Sequence, residues 1–413
     1  MEVIEIEKTA ELSSKFDLNI YKFNLALFLR SILLLTPIYI FFYQENGLTV
    51  KDLFLFQGIF YLASIIFEIP VGYLSDNIER KKLLLISFMI FIGFYSLWFF
   101  FHGYYVILAG EILFAISKVM MDNALSGYLY DYLNSQNKQS TMVKHYGYLN
   151  FYLAVGTALA GLIGVFLYSK FGLKTVIGTE IFIVSLSFFL ILSLPNIKCT
   201  KNKTEIISQK AKGYFKAVKN IYKNDLIICY VFYSGLLTSF SILFALSFQP
   251  LMQNALFPVF LYGVVAFINH FVRALSGVVA GKYLRNFNIK KIVFPLFCLY
   301  ILAFLCVFKI LSGSNTFFLL ILLTIICLII GVQVIFTILH VSRLHKFVTI
   351  EQRGTLMAVN NFVSRIMVAT MLISSKLFID NSELNSFFSI AFYVFLVLGL
   401  FFMVKIIKLK EQV

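Results

Sequence analysis

Two oppositely charged side chains, Lys118 and Asp122, lie four residues apart within a long apolar stretch. In a helix this spacing places both groups on one face, where they can neutralise each other. Arg30 lies in another apolar stretch, at nearly the same depth as Asp122 if both stretches cross a membrane. An Arg30–Asp122 pair between two helices is therefore a second interpretation, and neither spacing nor depth decides between the two. In either setting Asp122 is the candidate proton carrier, because ionisable groups inside a membrane mark proton and substrate routes.

The apolar stretches of the second half contain His270, Arg273 and Arg365 but no carboxylate. Charged groups in a membrane tend to face an aqueous cavity or a partner. We therefore expect the two arginines to receive a carboxylate, phosphate or similar group of a substrate. The alternative is a structural arginine that binds backbone atoms or the amides of Gln333 and Asn361.

A short polar turn within residues 68–82 joins two membrane-length apolar runs. Gly72 would permit a close helix approach or a sharp exit from the helix. Asp76 could accept hydrogen bonds from a helix N-terminus or from an arginine. A basic triplet that begins with Arg80 and Lys81 would hold the turn on the cytoplasmic side of the membrane.

The composition excludes an ordinary soluble protein, because 60% of the 413 residues are hydrophobic and only 13% are charged. The net charge of +15 does not indicate nucleic-acid binding, since most Lys and Arg residues lie in short turns and no soluble segment is long enough to form a basic face. The five Cys and five His residues show no metal-ligand spacing. We expect no nucleic-acid partner, no metal and no cofactor. An enzyme is not expected either, because no polar catalytic cluster is present.

Twelve apolar runs are long enough to cross a bilayer, for which about 20 residues are needed. They are predicted at 20–43, 53–75, 83–101, 104–131, 146–168, 173–195, 226–248, 256–281, 292–311, 316–340, 354–378 and 385–406, and are called spans 1 to 12 below. The sequence thus predicts an all-α membrane protein with 12 transmembrane helices in two pseudo-symmetric six-helix bundles.

A Lys-rich segment divides the chain between the sixth and seventh spans. A weak internal repeat supports the division, because the pattern around 72–82 recurs at a constant offset around 281–291. A cytoplasmic location of the segment places both termini in the cytoplasm as well. The predicted parts are an N-terminal segment, a six-helix bundle, the Lys-rich linker, a second bundle and a tail, at 1–17, 18–196, 197–224, 225–408 and 409–413.

The polar turn resembles a signature of the major facilitator superfamily, roughly Gly-x-x-x-Asp-x-x-Gly-Arg-Lys, found between the second and third helices. Gly72, Asp76, Arg80 and Lys81 match it, and Glu79 stands where the family usually has its second glycine. The resemblance implies that these four residues act as a conformational gate. It also implies that spans 1, 4, 7 and 10 line a central cavity.

The end of span 4 is similar to a bacterial efflux subgroup of that family, in which a Leu-Tyr-Asp stretch ending here at Asp131 follows small residues. The subgroup often has Glu where this chain has Ser126, and Asp122 is the expected substitute one turn earlier. The candidate proton-coupling residues are Asp122, Arg30 and Lys118. The candidate substrate-binding residues are Arg30, Asp122, Asn123, Arg273, His270, Gln333, Asn361 and Arg365.

From the resemblance we expect a secondary active transporter that works by alternating access. The expected activity is proton-coupled export of a small to medium amphipathic compound such as a drug or a peptide-like antibiotic. Proton-coupled uptake of an anionic metabolite and lipid flipping are the alternatives. The expected partners are a small-molecule substrate, protons and membrane lipids, and the protein is expected to be a monomer in the plasma membrane of a bacterium. Asp122→Asn and Arg30→Ala would each abolish transport in a folded protein.

Overall fold

The computed structural model describes residues 17–197, 224–283, 289–313, 316–345, 353–379 and 384–409. Within these residues every regular element is a helix. The α-helices are Leu18–Ser31, Tyr39–Glu45, Val50–Asn77, Arg80–Phe100, Tyr104–Ser135, Met142–Phe171, Leu173–Leu192, Asp225–Asn254, Val259–Tyr283, Lys290–Leu311, Thr316–Leu344, Arg353–Phe378 and Asn385–Lys408, with 3-10 turns at Thr36–Ile38 and Gln139–Thr141.

In the described chain, twelve helical stretches are long and apolar enough to cross a membrane, which confirms the twelve predicted spans. Two helices and the turn between them, Leu18–Glu45, together form span 1. The largest boundary difference is at span 7, which was predicted to end at 248 and continues to Asn254. Its helix runs through Pro250, and the additional turn carries polar groups that contact the first half.

Each half has its own aromatic core. In the first half Phe94 of span 3 packs on Phe91 and on Trp98 of the same helix. In the second half Phe240, on span 7, packs edge-to-face on Phe304 and Phe395. Large rings of this kind bury much apolar surface. In lipid, where helix association has no hydrophobic driving force, they supply dense van der Waals contact instead.

The two halves meet along two pairs of helices, span 2 with span 11 and span 5 with span 8. Small residues allow both close approaches. A Cβ atom on Gly58 would lie 2.7 Å from the side chain of Ile373, and one on Gly263 would lie 2.6 Å from the carbonyl of Gly161. Glycines at such crossings let two membrane helices approach to backbone contact.

The helices alternate in direction, so the connections fall at two ends of the molecule. We call the end where 78–79 joins spans 2 and 3 the basic end, because Arg80, Lys81 and Lys82 follow that connection. The end where 101–103 joins spans 3 and 4 is the opposite end. The predicted linker 197–224 would be at the basic end, but nearly all of it lies outside the described residues, as do 1–16 and 410–413.

Candidate functional site

One face of span 4 carries polar groups at mid-depth of the helix. The Nζ atom of Lys118 lies 2.8 Å from both carboxylate oxygens of Asp122, and the two side chains are 44% and 42% exposed. Ser126 and Tyr130 continue the same exposed face at four-residue intervals. Asp122 is roughly 20 Å from the end of this helix at the basic end, at a rise of 1.5 Å per residue. Charges at this depth need water or a polar partner, so this face is a candidate lining of an aqueous space.

Arg30 does not form the predicted ion pair with Asp122. It is only 4% exposed and lies in the core of the first half, with its guanidinium carbon 3.1 Å above the ring centroid of Phe91. Asp122 pairs instead with Lys118, which stands one turn away on its own helix and can reach it without help from a second helix. The same-helix interpretation is therefore the one that the structure has. The carboxylate of Asp122 still lies within electrostatic range of Arg30.

Span 1 is interrupted in the middle of its membrane crossing. The helix Leu18–Ser31 ends, a 3-10 turn with Pro37 follows, and helix resumes at Tyr39. Proline has no backbone N–H, and the interruption leaves neighbouring N–H groups without their helical acceptors. In the membrane interior such groups need another partner, because no water is available. One of them, Leu34 N–H, donates to Oε2 of Glu180 on span 6 at 2.7 Å. The sequence predicted one continuous run here, so the interruption is a correction.

Two fully buried carboxylates in the first half were not among the predicted site residues. Glu180 accepts the backbone bond just described and is 0% exposed. Glu111 is also 0% exposed, and its Oε1 accepts hydrogen bonds from the Tyr43 hydroxyl at 2.8 Å and from the Gln57 amide at 3.2 Å. Their position within apolar runs was a sequence signal, but the partners that hold them come from distant helices.

Arg365 binds a carboxylate from the other half of the molecule. Its Nη1 lies 2.5 Å from Oε2 of Glu68 on span 2. The sequence suggested a substrate anion, backbone atoms or the amides of Gln333 and Asn361 as partners, and Glu68 of the other half was not among them. Arg273 is half-buried on span 8, within electrostatic range of Tyr61 from the first half and of His270 from its own helix. Arg273 and Arg365 thus lie at the boundary between the halves.

Among the described residues, no hydrogen bond joins the three predicted amide residues to Arg273 or Arg365. Gln333 is buried and donates to the hydroxyls of Thr238 at 3.2 Å and Thr337 at 2.9 Å. Asn361 is exposed on span 11. The Asn123 amide donates to a carbonyl of its own helix, one turn earlier. Gln333 therefore has a packing role in this conformation, and substrate contact by these residues stays a prediction.

The basic residues after span 2 are tied to neighbouring helices. Nε of Arg80 lies 3.0 Å from Oδ2 of Asp131, and its guanidinium covers Gly127, where a side chain would collide with it. Lys81 is 8% exposed and donates to the carbonyl of Leu194 at 2.6 Å. The first basic residues of the signature thus connect the start of span 3 to the ends of spans 4 and 6.

The glycine of the signature does not have the role that its type suggested. Gly72 lies inside the helix Val50–Asn77, and a Cβ atom there would meet nothing within 4 Å. It is therefore neither a close contact point nor a helix exit. Asp76 lies in the last turn of that helix, and its side chain is outside the described part of the structure.

Polar contacts join the two halves at the opposite end. The amides of Gln44 and Gln253 exchange hydrogen bonds at 2.9 and 2.7 Å. Gln249 of span 7 accepts from Ile40 N–H at 2.8 Å and donates to the carbonyl of Thr36 at 2.7 Å. These bonds connect span 7 to the interrupted part of span 1.

Apolar contacts close the same end. The ring of Phe41 lies 5.1 Å from that of Tyr262 in the other half. Between pairs of described residues, the polar contact across the halves that lies nearest the basic end is Glu68–Arg365. The described halves are thus held together at the opposite end, while the polar face of span 4 is exposed between that closure and the basic end.

Twelve membrane-length helices of the described chain, in two six-helix halves, define a multi-pass membrane protein. The sequence model described as Major Facilitator Superfamily matches residues 23–372, and the chain belongs to that family. The solved structures that it resembles are those of transporters.

The nucleoside transporter NupG aligns with a TM-score of 0.76 at 15% identity, over 95% of this chain and 100% of that chain. A D-xylose–proton symporter aligns with a TM-score of 0.70 at 14% identity, over 95% of each chain. A bacterial homologue of the human lysosomal transporter Spinster aligns with a TM-score of 0.66 at 14% identity, over 94% and 96%. At these identities the likeness is one of fold. Comparison with curated protein sequences gives no match.

Proposed function

We propose that this chain is a secondary active transporter that works by alternating access, with a polar space between its halves. The observation that carries the proposal is the Lys118–Asp122 pair, because both side chains are more than 40% exposed near mid-membrane depth. Charges facing lipid at that depth are strongly disfavoured, so the pair needs water or substrate. The contacts of Gln249 and Gln253 across the halves then form the closed gate of this conformation.

The basic end is proposed to face the cytoplasm. Arg80, Lys81 and Lys82 lie there, and the Lys-rich segment between the halves connects to the same end. An excess of Lys and Arg in cytoplasmic loops is the usual determinant of orientation. In this orientation the described conformation is closed to the outside, and substrate would enter the polar space from the cytoplasm.

Asp122 is the proposed site of proton coupling. In the described state its charge is balanced by Lys118 at 2.8 Å. Addition of a proton to the carboxylate removes that balance and leaves the ammonium group of Lys118 without its charged partner. A substrate that binds better to one of these two charge states is thereby linked to proton movement.

The proposed activity is export of a small to medium amphipathic compound in exchange for protons. The similarity of the end of span 4 to an efflux subgroup supports this direction. Asp131, at the end of that similar stretch, forms an ion pair with Arg80 and so helps to connect the helices. Asp122 is then the acid of this stretch that is available for proton coupling. Entry from the cytoplasm, as in the proposed orientation, is the first step of export.

Uptake of an anionic metabolite is a second candidate, and one observation favours it. Arg273 has no carboxylate among its described ion-pair or hydrogen-bond partners and lies at the boundary between the halves. A guanidinium in this position can bind a carboxylate or a phosphate. Transporters of nucleosides and of xylose with protons are among the proteins of similar fold.

Proteoliposomes that contain the purified protein test both candidates. A pH gradient is imposed in either direction, and movement of cationic amphipathic dyes and of labelled anionic metabolites is followed. Export in exchange for protons predicts that the dyes move in the direction opposite to the proton flow. Movement of only the anionic compounds, together with protons, would support uptake instead, and absence of any gradient-dependent movement across a broad panel would contradict proton coupling.

A further inference from the structure

We propose that Glu180 is a second proton-binding residue, which controls closure of the opposite end through the interrupted backbone of span 1. The inference rests on the proposed proton-coupled function and adds a gate-controlling group to it. Glu180 lies on a different helix from the exposed Lys118–Asp122 pair and is 0% exposed. In the proposed role, binding of a proton to Glu180 changes the contacts between helices at the opposite end.

The carboxylate of Glu180 replaces a missing helical bond. In an unbroken helix the N–H of Leu34 would donate to the carbonyl of Arg30, four residues earlier. Here the chain between Ser31 and Thr36 is not helical, and Leu34 N–H donates to Oε2 of Glu180 at 2.7 Å. The shape of this segment therefore depends on an acceptor that belongs to span 6.

The same interruption is held by the second half of the molecule. Two residues after Leu34, the carbonyl of Thr36 accepts from the Gln249 amide at 2.7 Å. The oxygen of that amide accepts from Ile40 N–H, where helix has resumed, at 2.8 Å. Glu180 thus binds the interrupted segment at Leu34, and Gln249 of the second half binds it at Thr36 and Ile40.

The surroundings of Glu180 make both of its charge states possible. Span 1 contributes Arg30 and Tyr39, and span 3 contributes Tyr95, all within electrostatic range. No ionisable side chain of span 5, which also packs on span 6, acts on Glu180 in the described chain. Oε1 of Glu180 and Nη2 of Arg30 have no hydrogen-bond partner among the described residues. Arg30 therefore compensates the ionised form without locking it in a direct ion pair.

Arg30 also connects Glu180 to the exposed site. Both Glu180 and Asp122 lie within electrostatic range of its guanidinium. A proton that neutralises Asp122 reduces the negative charge beside Arg30, and a buried cation then favours the ionised form of Glu180. The reverse also holds, so protons at the two carboxylates are coupled with opposite preference.

The proposed step is a simple proton addition. A proton binds one carboxylate oxygen of Glu180, and no other bond to a ligand forms or breaks. The neutral acid is a weaker acceptor than the carboxylate, because hydrogen bonds to ionised groups are about twice as strong. Leu34 N–H is then held by a weaker acceptor, the segment before Thr36 is less firmly fixed, and the contacts of Gln249 across the halves weaken.

The experiment measures the separation of the halves at the opposite end. Spin labels are placed at Lys174→Cys in the first half and Asn254→Cys in the second, both exposed residues at that end, in full-length protein whose five native cysteines are replaced by alanine. Distance distributions are recorded in lipid nanodiscs without substrate across a pH series. Glu180→Gln is the test variant, and Glu111→Gln is the matched control because it is an equally buried acid whose hydrogen bonds come from side chains and not from the interrupted backbone of span 1.

We expect the ratio of open to closed molecules to rise about tenfold as the pH falls, which corresponds to about 1.4 kcal/mol. Glu180→Gln should remain in the open distribution at every pH, while Glu111→Gln follows the wild-type curve. A wild-type pH response in Glu180→Gln, or its loss in Glu111→Gln alone, would overturn the assignment.

Gln249→Ala is a second variant in case Glu180→Gln does not fold. It leaves the carboxylate intact and removes the link to the second half, so its distances should be long and insensitive to pH. Full pH sensitivity in Gln249→Ala would overturn the proposed connection. Failure of gradient-driven transport in proteoliposomes, by contrast, would contradict the proposed function and not this equilibrium measurement.

Discussion

The two halves have the same six-helix architecture but differ in the polar groups that they bury. In the first half Glu111 and Glu180 are fully buried acids. In the second half the corresponding interior holds neutral pairs, such as His340 with Asn360 at 3.1 Å. Arg273 and Arg365 of this half lie toward the first half. The two halves therefore share a fold but do not bury the same ionisable groups.

This difference separates two tasks between the halves. Carboxylates can bind protons, and their helices hold them in surroundings where the charge is partly compensated. Arginines stay charged and suit the binding of anions or of a partner carboxylate. In the Glu68–Arg365 pair, a carboxylate of the first half binds an arginine of the second half. We expect proton binding to belong to the first half and charge recognition to the second.

The largest expected effect is the contrast between Arg30→Ala and Arg273→Ala. Arg30 is 4% exposed and balances Glu180, so its removal leaves a buried carboxylate uncompensated and should lower the free energy of unfolding by about 3–5 kcal/mol. Arg273 is half-buried at the boundary between the halves. Arg273→Ala should therefore lower the free energy of unfolding by less than about 1 kcal/mol, while it reduces transport.

Chemical unfolding in detergent, followed by the signal of the single tryptophan, measures both variants. Each is the control for the other, because both remove an arginine from a membrane-spanning helix. Equal losses of stability would remove the distinction between a core cation and a boundary cation. The predicted loss of stability in Arg30→Ala would also correct the expectation that this variant leaves the protein folded.

A smaller effect is expected where the halves touch. Gly263→Ala should weaken the contact between spans 5 and 8, because the new Cβ atom would lie 2.6 Å from the carbonyl of Gly161. Overpacking of this kind typically lowers stability by about 1–3 kcal/mol. Gly277→Ala on the same helix is the matched control, since a Cβ there meets nothing within 4 Å. Thermal unfolding of both variants checks the prediction, and a stable Gly263→Ala protein would show that the helices can move apart without loss.

The smallest effect is expected for the ion pair between the halves. The side chains of Glu68 and Arg365 are 47% and 26% exposed, so solvent screens their interaction. A double-mutant cycle with Glu68→Gln and Arg365→Gln should give a coupling free energy of about 1 kcal/mol or less. A coupling free energy well above about 1 kcal/mol would contradict the prediction that solvent screens this pair.

Sequence patterns predicted the helices well because each crossing requires a long apolar run, which a single chain displays directly. The Lys118–Asp122 pair was one of two interpretations, because four-residue spacing within one helix allowed it but did not exclude a pair between Arg30 and Asp122. The partner of Arg365 was not predictable, because Glu68 belongs to the other half and no local pattern joins them.

The interruption of span 1 was the other feature that could not be predicted. Its apolar run is continuous, and Pro37 is a weak sign because membrane helices tolerate proline. The acceptor that stabilises the interruption is Glu180, on another helix. Local hydropathy records the need to cross the bilayer but not which distant side chain completes the backbone bonds.

Proton and substrate movement measured together in proteoliposomes tests the central claim most directly. Wild-type protein should move protons whenever a transported substrate moves, and Asp122→Asn should lose gradient-driven transport by at least about a hundredfold, the scale typical of removing a required proton-transfer group. Asp225→Asn, the same change at an exposed helix start, should behave as the wild type. Full proton-coupled transport by Asp122→Asn would contradict the account.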